Sequence, residues 1–147
     1  MRASDLVRPH PTVALSSPAI EAARLLASAD LPGLIIVDDV GRPVTVLPGT
    51  QVLQMAVPAY CQADPSLARV IDEEAADVIL TELDDLTVGA LLPPQPYELP
   101  VVTPDATVLE MAAMMARTRS PLVAVVDHGR LVGAVTLDRL LDTVLGS

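Results

Sequence analysis

Thr136 and Asp138 close an apolar run, Leu131 to Val135, and precede an amphipathic stretch. A hydroxyl and a carboxylate at such a strand-to-helix corner either cap the helix or grip a polar ligand. Ahead of the paired apolar run, Leu122 to Val126, stand Arg117, Arg119, Ser120 and Pro121. Arginines here either meet phosphates through charge-assisted hydrogen bonds or simply complement a helix C-terminus. The rest of the reactive inventory is sparse. His10 sits between prolines, and His128 falls in the turn Asp127-His128-Gly129-Arg130. Cys61 is the one cysteine, so no intrachain disulfide forms, and without a basic neighbour it reads as an inert thiol. No Ser-His-Asp set, zinc-ligand spacing or glycine-rich phosphate cradle is present. The expectation is a protein that is not an enzyme and holds no metal.

Composition narrows the partners. The chain has 147 residues, a mean hydropathy of +0.48 and a net charge of -10. All nine basic residues are arginine, and there is no Phe or Trp. A P-loop lysine and a lysine Schiff base are therefore excluded. Nucleic-acid binding lacks both its electrostatic footprint and its stacking platforms. No apolar run approaches the ~18 residues of a membrane span. Met1 to Leu6 also lacks the apolar core of a signal peptide, so a cytoplasmic setting is expected.

The elements that must position Thr136 emerge from an internal repeat. Residues 103–141 lie over residues 14–53 with one extra residue in the first turn. Before that turn Glu21 matches Glu110, Pro32 matches Pro121 and Asp38 matches Asp127. After it Gly41-Arg42 matches Gly129-Arg130, and Val52-Leu53 matches Leu140-Leu141. Each copy reads β-α-β-β-α. In the first, Ser17 caps a helix reaching about Ser28, with Ala19, Ala22, Ala23 and Leu26 on one face. In the second, Thr107 and Glu110 form a capping box, and Val108, Met111, Ala112 and Met115 repeat that face. Strands follow at Leu34 to Val37, Val44 to Leu47, Leu122 to Val126 and Leu131 to Val135, then closing helices from Gln51 and Asp138. Short helical lead-ins, Asp5-Leu-Val-Arg-Pro9 and Ala90-Leu-Leu-Pro-Pro94, precede the copies. One such unit cannot easily bury its own apolar faces, whereas two packed sheet to sheet can. The cleft between them is then the default ligand site.

The expected organisation is residues 1–56 as the first repeat with its lead-in, 57–87 as an acidic helical connector, and 88–147 as the second repeat with its lead-in. The connector helix is expected from Asp64 to Leu80. Residues 54–87 hold seven of the ten net negative charges, most simply a solvated face. Gln95 to Pro100, which includes Tyr97, reads as a spacer.

The motif Pro121-Leu-Val-Ala-Val-Val-Asp127, then Gly129-Arg-Leu-Val-Gly133-Ala-Val-Thr136, resembles that of CBS domains, and the tandem copies resemble a free-standing CBS pair. The resemblance implies an α+β fold of two pseudo-twofold-related repeats. It also implies a regulatory module binding AMP, ADP, ATP or S-adenosylmethionine in the inter-repeat cleft. Family members often pair as disc-like homodimers and govern a separate enzyme or membrane transporter. In nucleotide-binding members the Thr contacts phosphate or ribose, and an Asp three residues later holds the ribose hydroxyls. Thr136 matches the first role; Arg139 stands at the second, with Asp138 one position early and equally suited to cap the helix. The first copy has Pro48 and Gln51 at these positions, and Thr50 as a helix cap. The candidate ligand set is Thr136, Asp138, Arg119, Ser120, Pro121, Leu122, Arg117 and Thr103. A ligand-free interaction or dimerisation module, and a divalent-cation sensor using the connector, are the competing readings.

Overall fold

The computed structural model describes residues 1–29, 31–56, 62–66, 81 and 83–146. Asp30, Cys61 and the expected connector helix beyond Ser66 lie outside them. In chain order the elements are α1 (Ala3–Leu6), β1 (Thr12–Ala14), α2 (Ala19–Ser28), β2 (Gly33–Val37), β3 (Pro43–Pro48) and α3 (Gly49–Ala56). The second half runs α4 (Val88–Leu91), β4 (Val101–Val102), α5 (Val108–Thr118), β5 (Leu122–Asp127), β6 (Arg130–Thr136) and α6 (Leu137–Leu145).

Two three-stranded sheets result, ordered β1-β2-β3 and β4-β5-β6, each with a parallel first pair and an antiparallel second pair. The expected β-α-β-β-α repeat is present twice. The likeness extends to the register. Val44 is the extra residue of a bulge in the first hairpin, and its match Val132 is the extra residue in the second. The second hairpin turns on His128 and Gly129, with φ of 50° and 77°. Two successive left-handed residues make the type I′ turn that suits the twist of paired strands.

Apolar side chains fill three clusters. One lies under α2 in the first repeat and one under α5 in the second. The third, formed by Ile35, Val46, Leu99, Leu122, Ala124 and Ala134, joins the two sheets face to face. The lead-in helices are exchanged between the halves. Ala3 and Leu6 of α1 are buried in the second repeat's core, and Val88 and Leu91 of α4 in the first repeat's core. The exchange is matched bond for bond. Ala3 and Ser4 donate their N–H groups to the carbonyls of Ala106 and Pro104, while Val88 and Gly89 donate to Ser17 and Leu15. Beyond α1 the chain crosses β6, where Arg8 exchanges both backbone hydrogen bonds with Ala134 at 3.0 Å. Gly133 permits that crossing, because a Cβ there would stand 2.1 Å from the Arg8 carbonyl oxygen.

Three helix starts differ from expectation. Pro18, not Ser17, is the N-cap of α2, and the free N–H of Ala19 finds the Leu86 carbonyl at 2.8 Å. The Ser17 hydroxyl instead accepts from the Ala14 N–H at 3.0 Å. Thr50 lies inside α3, which starts at Gly49, and Asp138 lies inside α6, whose N-cap is Thr136. In both closing helices the first N–H is taken by a carbonyl from the loop before the preceding hairpin. Gly49 donates to Pro32 and Leu137 to Pro121, which satisfies one of the four orphan N–H groups at each start.

Candidate ligand site

The two strand-to-helix corners, β3 into α3 and β6 into α6, are where the repeats differ most. At the second corner Thr136 ends β6 opposite Leu122 of β5. Its hydroxyl donates to a carboxylate oxygen of Asp138. That bond, ahead of smaller contributions from nearby backbone N–H groups and Arg139, holds the exposed Asp138 carboxyl below its ordinary 3.8. Ser120 is buried, and its hydroxyl donates to the Leu122 carbonyl at 2.6 Å. Leu122 belongs to the sheet-to-sheet cluster. Arg119 is exposed at the C-cap of α5 with φ 57°, and its side chain has no hydrogen bond or ion pair among the described residues. Arg119, Ser120 and Pro121 line one wall of an apolar groove of about 440 Å³ between α5 and α6, with Leu137 and Leu141 opposite. This groove lies within the second repeat. A separate opening of about 370 Å³ lies between the repeats, bounded by His10, Val37, Gly41, Arg130 and Val132.

The remaining two candidates stand apart. Arg117 faces Glu98 at 3.8 Å with both side chains 65% exposed, and Thr103 donates to Asp105. No described contact joins either to Thr136. Asp105 is held below its usual range, chiefly by the Thr103 hydroxyl. Among the described residues no group of three or more His, Cys, Asp or Glu side chains is arranged to hold a metal ion. Nor is any helix among them long and apolar enough to cross a membrane.

Arg139 and Gln51 do something the sequence does not reveal. Arg139 Nε donates at 2.8 Å to the carbonyl of Leu6, the last residue of α1. Gln51 Nε2 donates at 2.9 Å to the carbonyl of Leu91, the last residue of α4. Each closing helix thereby ties down the lead-in helix packed on its own repeat. The expected spacer is also more than that. The Tyr97 carbonyl accepts from the Thr45 hydroxyl, and the Tyr97 phenol donates to Gln51 Oε1 at 3.3 Å. Matching Gln51 with Arg139 across the repeat was the available signal: both are long donors. Their acceptors, though, lie 40 and 133 residues away in sequence.

The family model described as CBS domain matches residues 94–146, the second repeat with its approach loop. The structure of a CBS domain-containing protein from Kribbella flavida is 54% identical, with 99% of each chain covered and a TM-score of 0.86. The chain belongs to the CBS-domain family. Its two repeats make it a CBS pair. The same pair fold recurs at low identity. The CBS domain of a membrane protein from Sphaerobacter thermophilus is 24% identical over 97% of this chain and 86% of that one, with a TM-score of 0.72. CBSX2 from Arabidopsis thaliana is 21% identical over 99% of this chain and 94% of that one, with a TM-score of 0.73. CBSX2 in complex with AMP is again 21% identical, over 99% and 96% of the two chains, with a TM-score of 0.67. No curated protein matches the chain.

Proposed function

We propose that this CBS pair is a regulatory module that takes one adenosyl-type effector, at the Thr136 corner, and passes its binding to a partner protein as a homodimer. The observation that carries this reading is the inequality of the corners. The second ends in a hydroxyl, Thr136, with the Arg119 cation, unpartnered among the described residues, ahead of the paired strand β5. The first ends in Pro48, and its Gln51 amide is engaged on both sides. AMP is carried by CBSX2, a protein of the same fold. In this chain Thr136 and Arg119 would meet the phosphate end, with the base against aliphatic side chains. Homodimer formation is supported by apolar side chains that the closing helices leave outward: Leu137, Leu141, Val144 and Leu145 on α6, and Leu53 and Met55 on α3.

A thermal-shift series with AMP, ADP, ATP and S-adenosylmethionine tests the reading. Effector at about 100 times its dissociation constant should add about 2.7 kcal/mol of stability. Thr136→Ala should abolish the shift. No shift at millimolar concentration for any of the four would end the proposal.

One observation favours a ligand-free interaction module instead. Three donors at the second corner are already spent inside the protein: Thr136 on Asp138, Ser120 on Leu122, and Arg139 Nε on Leu6. On that reading the corners serve folding and dimerisation, and the thermal-shift series stays flat while the dimer persists. The cation-sensor reading depends on Asp72, Glu73 and Glu74, outside the described residues. A Mg²⁺-dependent change in oligomeric state would favour it.

A further inference from the structure

Tyr97 lies across the first-repeat corner. Its backbone is anchored on β3, where the Thr45 hydroxyl donates to its carbonyl three residues before Pro48. Its ring tip is anchored on α3, where the phenol donates at 3.3 Å to Gln51, three residues after Pro48. Gln51 is only 5% exposed and spends its other amide atom on the Leu91 carbonyl at 2.9 Å. The main chain is held on one side of the corner and the phenol on the other, so the ring, 42% exposed, lies over the corner as a cover.

The second corner has no such cover. Counted back from the paired strands, the residue matching Tyr97 is Arg8, since Thr12 of β1 and Val101 of β4 pair with matched residues of β2 and β5. Arg8 bonds to Ala134 through its backbone alone, and its exposed side chain has no hydrogen bond or ion pair among the described residues. Chain length explains the difference. One residue separates the end of α1 from Arg8, whereas five separate the end of α4 from Tyr97. The longer segment lets the second crossing stand off from β3. Thr45 fits there, whereas its match Gly133 has no room for a Cβ.

We propose that Tyr97 is an intramolecular cover over the first-repeat corner, an autoinhibitory contact that shuts it to aromatic ligands and leaves the pair with one open corner. This goes beyond the effector reading and stands whether or not a nucleotide binds at Thr136. The probe is p-cresol, which is the tyrosine side chain itself. Tyr97→Ala should melt below the wild type, and millimolar p-cresol should recover part of that loss. The same p-cresol should leave the wild type and Tyr97→Ala/Gln51→Leu unmoved, because the first is already covered and the second lacks the phenol's acceptor. An equal p-cresol shift in wild type and Tyr97→Ala, or none in Tyr97→Ala, overturns the proposal. Should Tyr97→Ala fail to fold, nuclear Overhauser contacts in the wild-type protein decide. Contacts between the Tyr97 ring and the Gln51 side chain are expected, and their absence refutes the cover.

Discussion

Gln51 and Arg139 hold matched positions, and each donates a hydrogen bond to the last carbonyl of a lead-in helix. Their burial sets what each bond is worth. Gln51→Ala would leave the buried Leu91 carbonyl without a partner, at a cost of about 1–3 kcal/mol readable by urea denaturation. Arg139→Ala should cost less, since its guanidinium is part-exposed and water can replace it at the Leu6 carbonyl. Gly133→Ala is the sharpest single-site probe. The new Cβ would drive into the Arg8 backbone, costing at least about 1–3 kcal/mol, because no flexible side chain can move aside. Among the described residues three carboxyls are held low: Asp38 chiefly by the Arg42 backbone N–H, Asp105 by the Thr103 hydroxyl and Asp138 by the Thr136 hydroxyl. With folded values below 3.8, the unfolded chain binds protons first as pH falls. Their stabilisation is therefore complete above that value and is lost as pH drops through the lower folded values. Denaturation midpoints should fall on acidification across that window, and less steeply in Asp138→Asn.

At the scale of elements, the hairpins and closing helices were legible, and the helix starts were not. Short continuous apolar runs bounded by Pro, Gly and turn residues placed β2, β3, β5 and β6 to within about a residue, and β2 and β5 are buried at four consecutive positions, as such runs imply. Ser17, Thr50 and Asp138 all looked like caps because their side chains suit the role. Carbonyls from distant segments took the orphan N–H groups instead: Leu86 at α2, Pro32 at α3 and Pro121 at α6. Local chemistry offers a cap, and tertiary contact decides whether it is used. The outward faces of the closing helices carry the dimer expectation. Leu141 is 46% exposed and its repeat match Leu53 is 61% exposed. Leu141→Asp should shift the protein toward monomer in light scattering, with a smaller loss of monomer stability than a core substitution because nearly half of that side chain is exposed.

Across the whole molecule, the exchange of lead-in helices makes each repeat depend on a segment distant in sequence. Leu6 is 2% exposed within the second repeat's core. Leu6→Ala should cost about 2–5 kcal/mol. Hydrogen exchange should quicken most in β5 and β6, where the cavity lies, although the mutation is at the other end of the chain. If protection fell first in β2 and β3, the exchange of lead-ins would be wrong. The sheet-to-sheet cluster then couples the halves, so a single unfolding transition is expected.

Taken alone, the amino-acid sequence determined the repeat, the β-α-β-β-α order, the hairpin turns and the loss of the Thr and Asp positions in the first copy. These are written in local periodicity and in the spacing of Pro, Gly and Thr, which act over a few residues. Only the tertiary structure decided that the lead-ins change places, that Gln51 and Arg139 tie them down, and that Tyr97 spans the first corner. Those contacts join residues 40 to 133 positions apart. A long polar side chain advertises a donor but not its acceptor, and three of these four acceptors are backbone carbonyls that no residue type marks.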